Sequence, residues 1–281
     1  MGKIHREEQT GVDVVWNIQS SLGNDIMISE DKLKPMGLGL SVLFFGIPSA
    51  VLTFSIYHYM QDFHREGMND FLNFYLTMVL PLALMLVSAI VAFKLEGRAL
   101  TWEALSHRFR LTRMTKQDWL YTLGLFLFMA LCYGVLSFTA KWLIQFKLFA
   151  PPDFLIPAVD PRLEQRFGMD VFMGIPLKGQ WWIALVYFIA LLFNIFGEEF
   201  WWRGYILPRQ ELAFGKRTWV IHGVLWTLFH VFWKWDLLIL LPGCLALSYV
   251  LYTRKNTWIG IITHLALNSI PLVGIIIGII G

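Results

Sequence analysis

The sequence predicts an all-α protein, a polytopic transmembrane helix bundle of seven to eight spans, and three observations predict it. Hydrophobic residues make up 57% of the 281-residue chain while Asp, Glu, Lys and Arg supply only 15%, too little charge for an ordinary water-soluble enzyme. Apolar runs of about 20 residues, the length a helix needs to cross the hydrocarbon, recur along the chain between short charged segments. Aromatic rings gather at the ends of those runs, where amphipathic side chains settle against water: Trp119, Trp142, Trp181, Trp182, Trp219, Trp233, Trp235 and Trp258.

Residues 1–36 are polar and mixed in charge, without the apolar core and cleavage site of a signal peptide, so they are expected to be a cytoplasmic N-terminal tail. Residues 37–281 are expected to form a single transmembrane domain, whose first span also directs insertion. Spans are expected at 37–60, 71–95, 118–144, 180–203 with a helical extension, 217–234, 236–253 and 257–280. Pro271 interrupts the last run, which makes it either a kinked helix or a span followed by a short re-entrant eighth element.

Two connecting segments stand out. Residues 96–117 set Trp102, Leu105, Phe109 and Leu111 among Arg98, Arg108, Arg110, Arg113 and Lys116, the pattern of a basic amphipathic piece lying on the membrane surface. Residues 145–179 carry Pro151, Pro152, Pro157, Pro161 and Pro176 and read as a proline-rich loop outside the hydrocarbon, long enough to be a lid. Lys and Arg concentrate in the tail, in 96–117, in 204–217 and at Arg254 and Lys255. The positive-inside rule then puts the N-terminus and the 204–217 hairpin in the cytoplasm.

A net charge of +3, with basic residues beside apolar runs, suits lipid headgroups and argues against nucleic acid as a partner. Cys132 and Cys244 lie within apolar runs and belong to no zinc-ligand pattern, so they read as packing residues. Lys141 reads as a snorkelling residue of a span end. Lys234 and Asp236 read as residues of a tight interfacial turn.

Charged groups inside a span are expensive, so polar residues recurring there at helical spacing mark a functional site. Glu199 and Arg203 are four apart on one helix face and can pair, whereas Glu198 points about 100° away. A carboxylate desolvated without a charged partner is basic enough to take a proton from water near neutral pH. His230 lies on the next run. His264 and Asn268, again four apart, can offer two donors to a developing oxyanion. Measured along α-helices from a turn near Gly215, Glu198 and His230 come out level, at roughly 25 and 22 Å. His222 reads as a structural or pocket-lining residue, and Asn194 as a neighbour supporting Glu198.

These residues resemble the membrane proteases of the CAAX-processing and bacteriocin-processing group, the CPBP or Abi family. Its pattern is EExxxR, then FxxxH, then HxxxN on successive helices of a mostly eight-span bundle. Glu198, Glu199 and Arg203 match the first motif, and His264 with Asn268 match the third. His230 matches the second, although Trp226 stands where Phe is usual, a departure that bears on pocket shape rather than chemistry. The resemblance covers residues 180–270, and it implies an intramembrane endopeptidase, a multi-pass protein of a prokaryotic cell membrane. By the same resemblance Glu198 and His230 would activate water, His264 and Asn268 would stabilise the tetrahedral intermediate, and Glu199 with Arg203 would orient the site.

The implied partners are membrane lipids and a peptide or protein substrate, prenylated or otherwise lipid-modified in some members; oligomeric state stays open. The residues fit a glutamate-type enzyme that needs no cofactor, and zinc held by Glu198, His230 and His264 is the alternative. The blander readings are a stabilising Glu199–Arg203 pair and histidines that glue helices together. They correspond to a non-catalytic chaperone, immunity or scaffold protein of the same fold. A proton-coupled transporter would use the same buried carboxylate but calls for repeats that are absent from the sequence.

Overall fold

The structure, a computed structural model, describes residues 33–163 and 170–281. Residues 1–32 of the expected tail and 164–169 of the proline-rich loop lie outside the described residues. Met36–Gly281 form one compact unit; of the other, residues 1–35, the described residues 33–35 carry no regular structure.

Helix α1 (Leu38–Phe54) runs through a π-helical turn, Ser55–Tyr59, into α2 (Met60–Arg65). Helix α3 (Asp70–Phe74), capped by the Asn69 side chain, likewise passes through Tyr75–Val79 into α4 (Leu80–Leu95). The short α5 (Trp102–Arg108) follows, then the long α6 (Lys116–Leu143), whose start is fixed by a reciprocal Thr115–Asp118 capping box. Past the proline-rich segment, a two-residue antiparallel pair joins β1 (Val171–Phe172) to β2 (Ile175–Pro176). Its turn places Met173 and Gly174 at positive φ.

Helix α7 (Trp181–Glu199) gives way to a seven-residue π-helical segment, Phe200–Ile206, and then α8 (Leu207–Phe214). The chain reverses at Gly215, whose φ of 52° and ψ of −123° fall where residues with a Cβ rarely go. Helices α9 (Thr218–Phe229), α10 (Leu237–Arg254), α11 (Thr257–Asn268) and α12 (Ile270–Ile280) complete the bundle. Helix α7 packs against α4, α11 and α12, while α9 packs against α1 and α10.

Among the described residues, five helical stretches are long and apolar enough to cross a membrane, or six if α11 and α12, bent by 40°, count as one. One of the five is the 53-residue stretch Trp181–Trp233, which contains the Gly215 reversal. The bend falls at Ser269, just before Pro271, because the proline ring is tolerated only in a first helical turn.

The 96–117 segment departs from the simple surface piece expected. Trp102 is exposed, but Arg108 and Phe109 are buried, because they complete the π-helical segment. Pro208, four residues after Gly204, has no N–H to give the Gly204 carbonyl, and Arg108 supplies donors there: its Nη1 donates to the Gly204 carbonyl at 2.6 Å and its Nη2 to that of Tyr205 at 3.2 Å. Glu96 neutralises the guanidinium through two hydrogen bonds of 2.7 Å. Phe109 fills the space over Gly204, where a Cβ would collide with its ring. Trp235 also departs from the interfacial reading. It is 1% exposed, packed beside Trp233 in the core, whereas Trp119, Trp142, Trp181 and Trp182 are exposed as interface residues are.

Candidate active site

The site is built where α7, α9 and α11 meet. Helix α7 delivers Glu198 and Glu199 at its C-terminal end, and the π-helical segment that follows presents Arg203. All three are at most 4% exposed, so each charge depends on protein partners. Glu199 and Arg203 pair as expected, with Nη1 at 3.1 Å from Oε1, and His264 Nδ1 reaches the same oxygen at 3.1 Å from α11. Arg203 and His264 thus share one carboxylate, which holds α7 to α11 at a fixed depth. That depth is set from outside the site. Asn256 caps α11 by accepting from Trp258 N, and Arg254 Nε binds Asp118 Oδ1 at 2.8 Å, tying the start of α11 to the start of α6.

Gly260, one turn before His264, lies directly against Glu199. A Cβ there would overlap Oε2, so only glycine lets the carboxylate approach α11. Sequence reasoning missed this residue. Its signal was available: a glycine on the same helix face as His264 and Asn268, at the four-residue spacing.

Glu198 faces the other way, toward α9, where a neutral donor meets it. Trp226 Nε1 donates to its Oε2 at 3.0 Å. Trp226 therefore contributes a polar contact as well as pocket shape. The bond reaches Glu198 from one turn before His230 on the returning helix.

His230 begins a 3-10 turn that ends α9, and its Nδ1 lies 2.8 Å from the Trp226 carbonyl. A carbonyl only accepts, so Nδ1 carries the proton and a neutral His230 keeps its Nε2 lone pair free. Glu198 and His264 are both within electrostatic reach of this ring. Trp226 also packs edge-on to His230 and His264, with ring centroids 5.8 and 5.9 Å apart. Asn268 is the last residue of α11. Its carbonyl accepts from Tyr187 Oη of α7 at 3.4 Å, and it shares a helix face with His264.

Of the remaining candidates, His222 turns away to bond Gln210 Oε1 at 2.6 Å, and Gln210 Nε2 donates to Ser41 Oγ at 3.0 Å. This is a buried polar strut between α9, α8 and α1. Asn194 Oδ1 is buried and, among the described residues, has no partner. Of the three candidate zinc ligands, Glu198 has Oε2 bound by the indole, His230 has Nδ1 at the Trp226 carbonyl and His264 has Nδ1 at Glu199, so each engages the protein through one atom of its polar group. Among the described residues no three His, Cys, Asp or Glu side chains are grouped so as to hold a metal ion.

The bundle thus buries two glutamates, an arginine and a histidine where α7, α9 and α11 meet, with His230 beside them, an arrangement too costly in an apolar interior to be incidental. Residues 180–270, about a third of the chain, match the family described as Type II CAAX prenyl endopeptidase Rce1-like, so this part of the chain is similar to the CPBP/CAAX membrane proteases. No curated protein and no solved structure matches the chain.

Proposed function

We propose that the chain is an intramembrane endopeptidase that hydrolyses a peptide bond in a membrane-associated substrate, with lipid-modified C-terminal segments as its substrate class. The observation that carries this reading is the division of labour between the two adjacent glutamates. Glu199 is spent on Arg203 and His264, whereas Glu198 meets only a neutral indole donor among the described residues and stays available as a base.

In the proposed mechanism Glu198 and the free Nε2 of His230 hold a water between them. Glu198 takes a proton as the water oxygen attacks the scissile carbonyl carbon. The oxyanion forms beside His264 and Asn268. With Nδ1 turned to Glu199, His264 has Nε2 to offer the oxyanion, and it donates there when both ring nitrogens carry protons. The proton on Glu198 then passes to the leaving nitrogen, the C–N bond breaks, and a carboxylate and an amine depart. Arg203 and Glu199 keep the helices in register.

The Gly215 reversal divides the 53-residue stretch into two legs, which supports seven spans. The 40° bend between α11 and α12 is the natural basis for an eighth element. Arg110, Lys216, Arg217, Arg254 and Lys255 lie toward the Gly215 end, which supports a cytoplasmic placement for that end, for the tail 1–36 and for the mouth of the site in the 37–281 domain.

The test is cleavage by purified protein in liposomes of a peptide ending in a prenylated cysteine segment, read by mass spectrometry beside its unlipidated twin. Release of a discrete C-terminal fragment, faster from the lipidated peptide, is expected. Failure to cleave any membrane-bound peptide contradicts the reading.

A further inference from the structure

We infer that Trp226 is the positioning residue of this site, the side chain that fixes which oxygen of Glu198 meets water and links that carboxylate to the charge of Arg203. The inference rests on the proteolytic reading above and concerns a residue that contributes no group to the proposed chemistry.

Four contacts converge on this one residue, three on its ring and one on its backbone carbonyl, and it is 3% exposed. Its Nε1 donates to Glu198 Oε2 at 3.0 Å. Its carbonyl accepts from His230 Nδ1 at 2.8 Å. The Arg203 guanidinium carbon lies 3.5 Å from the centroid of its ring. Its edges meet the rings of His230 and His264. The first contact settles the geometry of the base: with Oε2 held by the indole, Oε1 is the oxygen left for water. The second settles the tautomer of His230, so one residue orients both water-holding groups through independent atoms.

The third contact explains why an indole suits the position. A guanidinium over a π-face draws electron density from the ring and makes its N–H a stronger donor. Arg203 is already paired with Glu199, and its contact with the ring links its positive charge to the indole that binds Glu198. A direct ion pair with Glu198 would neutralise the base. A neutral donor polarised from behind fixes the carboxylate in place and leaves it negative. Glu199, Arg203, Trp226 and Glu198 thus form one relay in which the two glutamates are stabilised by the same cation in different ways.

The test separates this relay from general packing. Trp226→Phe keeps an aromatic face for Arg203 and removes the donor. Placing 3-benzothienylalanine at 226 exchanges N–H for sulfur at nearly unchanged shape, which covers the case in which the Phe variant folds poorly. Either change is expected to lower kcat about tenfold to a hundredfold with KM nearly unchanged, the scale of a misplaced base. In protein labelled at tryptophan Nε1 with 15N, the crosspeak absent from these variants belongs to Trp226. That crosspeak is expected to move upfield in Glu198→Ala and to stay in place in Asn194→Ala.

A crosspeak indifferent to Glu198→Ala overturns the inference whatever the activity. So does wild-type kcat in both donor-free variants. If the wild type cleaves no substrate, the proteolytic reading is what fails, and the crosspeak still decides whether the indole holds Glu198.

Discussion

Helix α6 and the Trp181–Trp233 stretch are both apolar enough to cross a membrane, yet the most apolar 18-residue window is 17% buried in the first and 44% buried in the second. The first turns Leu127, Leu131 and Val135 outward and keeps its charges at its ends, Asp118 in a cap and Lys141 in the last turn. The second buries Glu198, Glu199 and Arg203 and closes around them with Trp226 and, from α11, His264. Hydrophobicity places both segments in a membrane; only the cost of desolvating charge distinguishes a lipid-facing wall from a reactive one.

The contrast is broken or sharpened by substitution on its two sides. His230→Ala, which removes the free imidazole nitrogen, is expected to reduce turnover by about 10²–10⁴-fold without altering thermal stability. A loss below threefold, measured on the prenylated peptide, would remove His230 from the water-holding role. Gly260→Ala drives a methyl group into Glu199 and is expected to lower turnover by tenfold or more. It should also cost about 1–3 kcal/mol of stability, as overpacking does, measured by denaturant unfolding in detergent. An unaffected variant would show that α11 has room to move and that Glu199 is not tightly docked.

A smaller effect comes from the support beneath the π-helical segment. Burial pushes the Glu96 carboxyl up, but the hydrogen-bonded guanidinium groups of Arg108 and Arg98 more than offset this, so the group lies below its ordinary value of 4.5. A carboxylate depressed in the folded state contributes stability that is complete above that ordinary value and is lost as pH falls through the folded one. The melting temperature in detergent is therefore expected to fall below about pH 4.5, by less in Glu96→Gln than in the wild type. Equal acid sensitivity in both would show that the Arg108 strut does not govern this segment. At the other extreme, Leu131→Ala on the outward face of α6 is expected to leave turnover unchanged and to shift stability by less than about 0.5 kcal/mol. Loss of activity there would mean that α6 is part of the reactive wall.

What the sequence made legible divides along the same line. The apolar runs and their lengths foretold the helices, because hydrophobicity is a property of each run by itself. Glu199 with Arg203, and His264 with Asn268, were readable because four-residue spacing puts side chains on one helix face. The indole bond of Glu198 was not readable, since it depends on how far the chain advances between Glu198 and the Gly215 reversal. Arg108 was legible as a basic residue but not as the partner of the Gly204 and Tyr205 carbonyls. The Gly204 carbonyl takes this outside donor where Pro208, four residues on, has no N–H to offer. Gly260 was visible as a glycine, and its reason became visible only with Glu199 beside it.

The account turns on Glu198 as the group that activates water in a buried pocket. The most direct measurement is the single-turnover rate of Glu198→Gln reconstituted beside the wild type, since the amide keeps the size of the side chain and the Oε acceptor for the Trp226 indole but cannot take a proton. A folded variant slowed by about a thousandfold or more is the predicted result; a rate within a few-fold of wild type would contradict it.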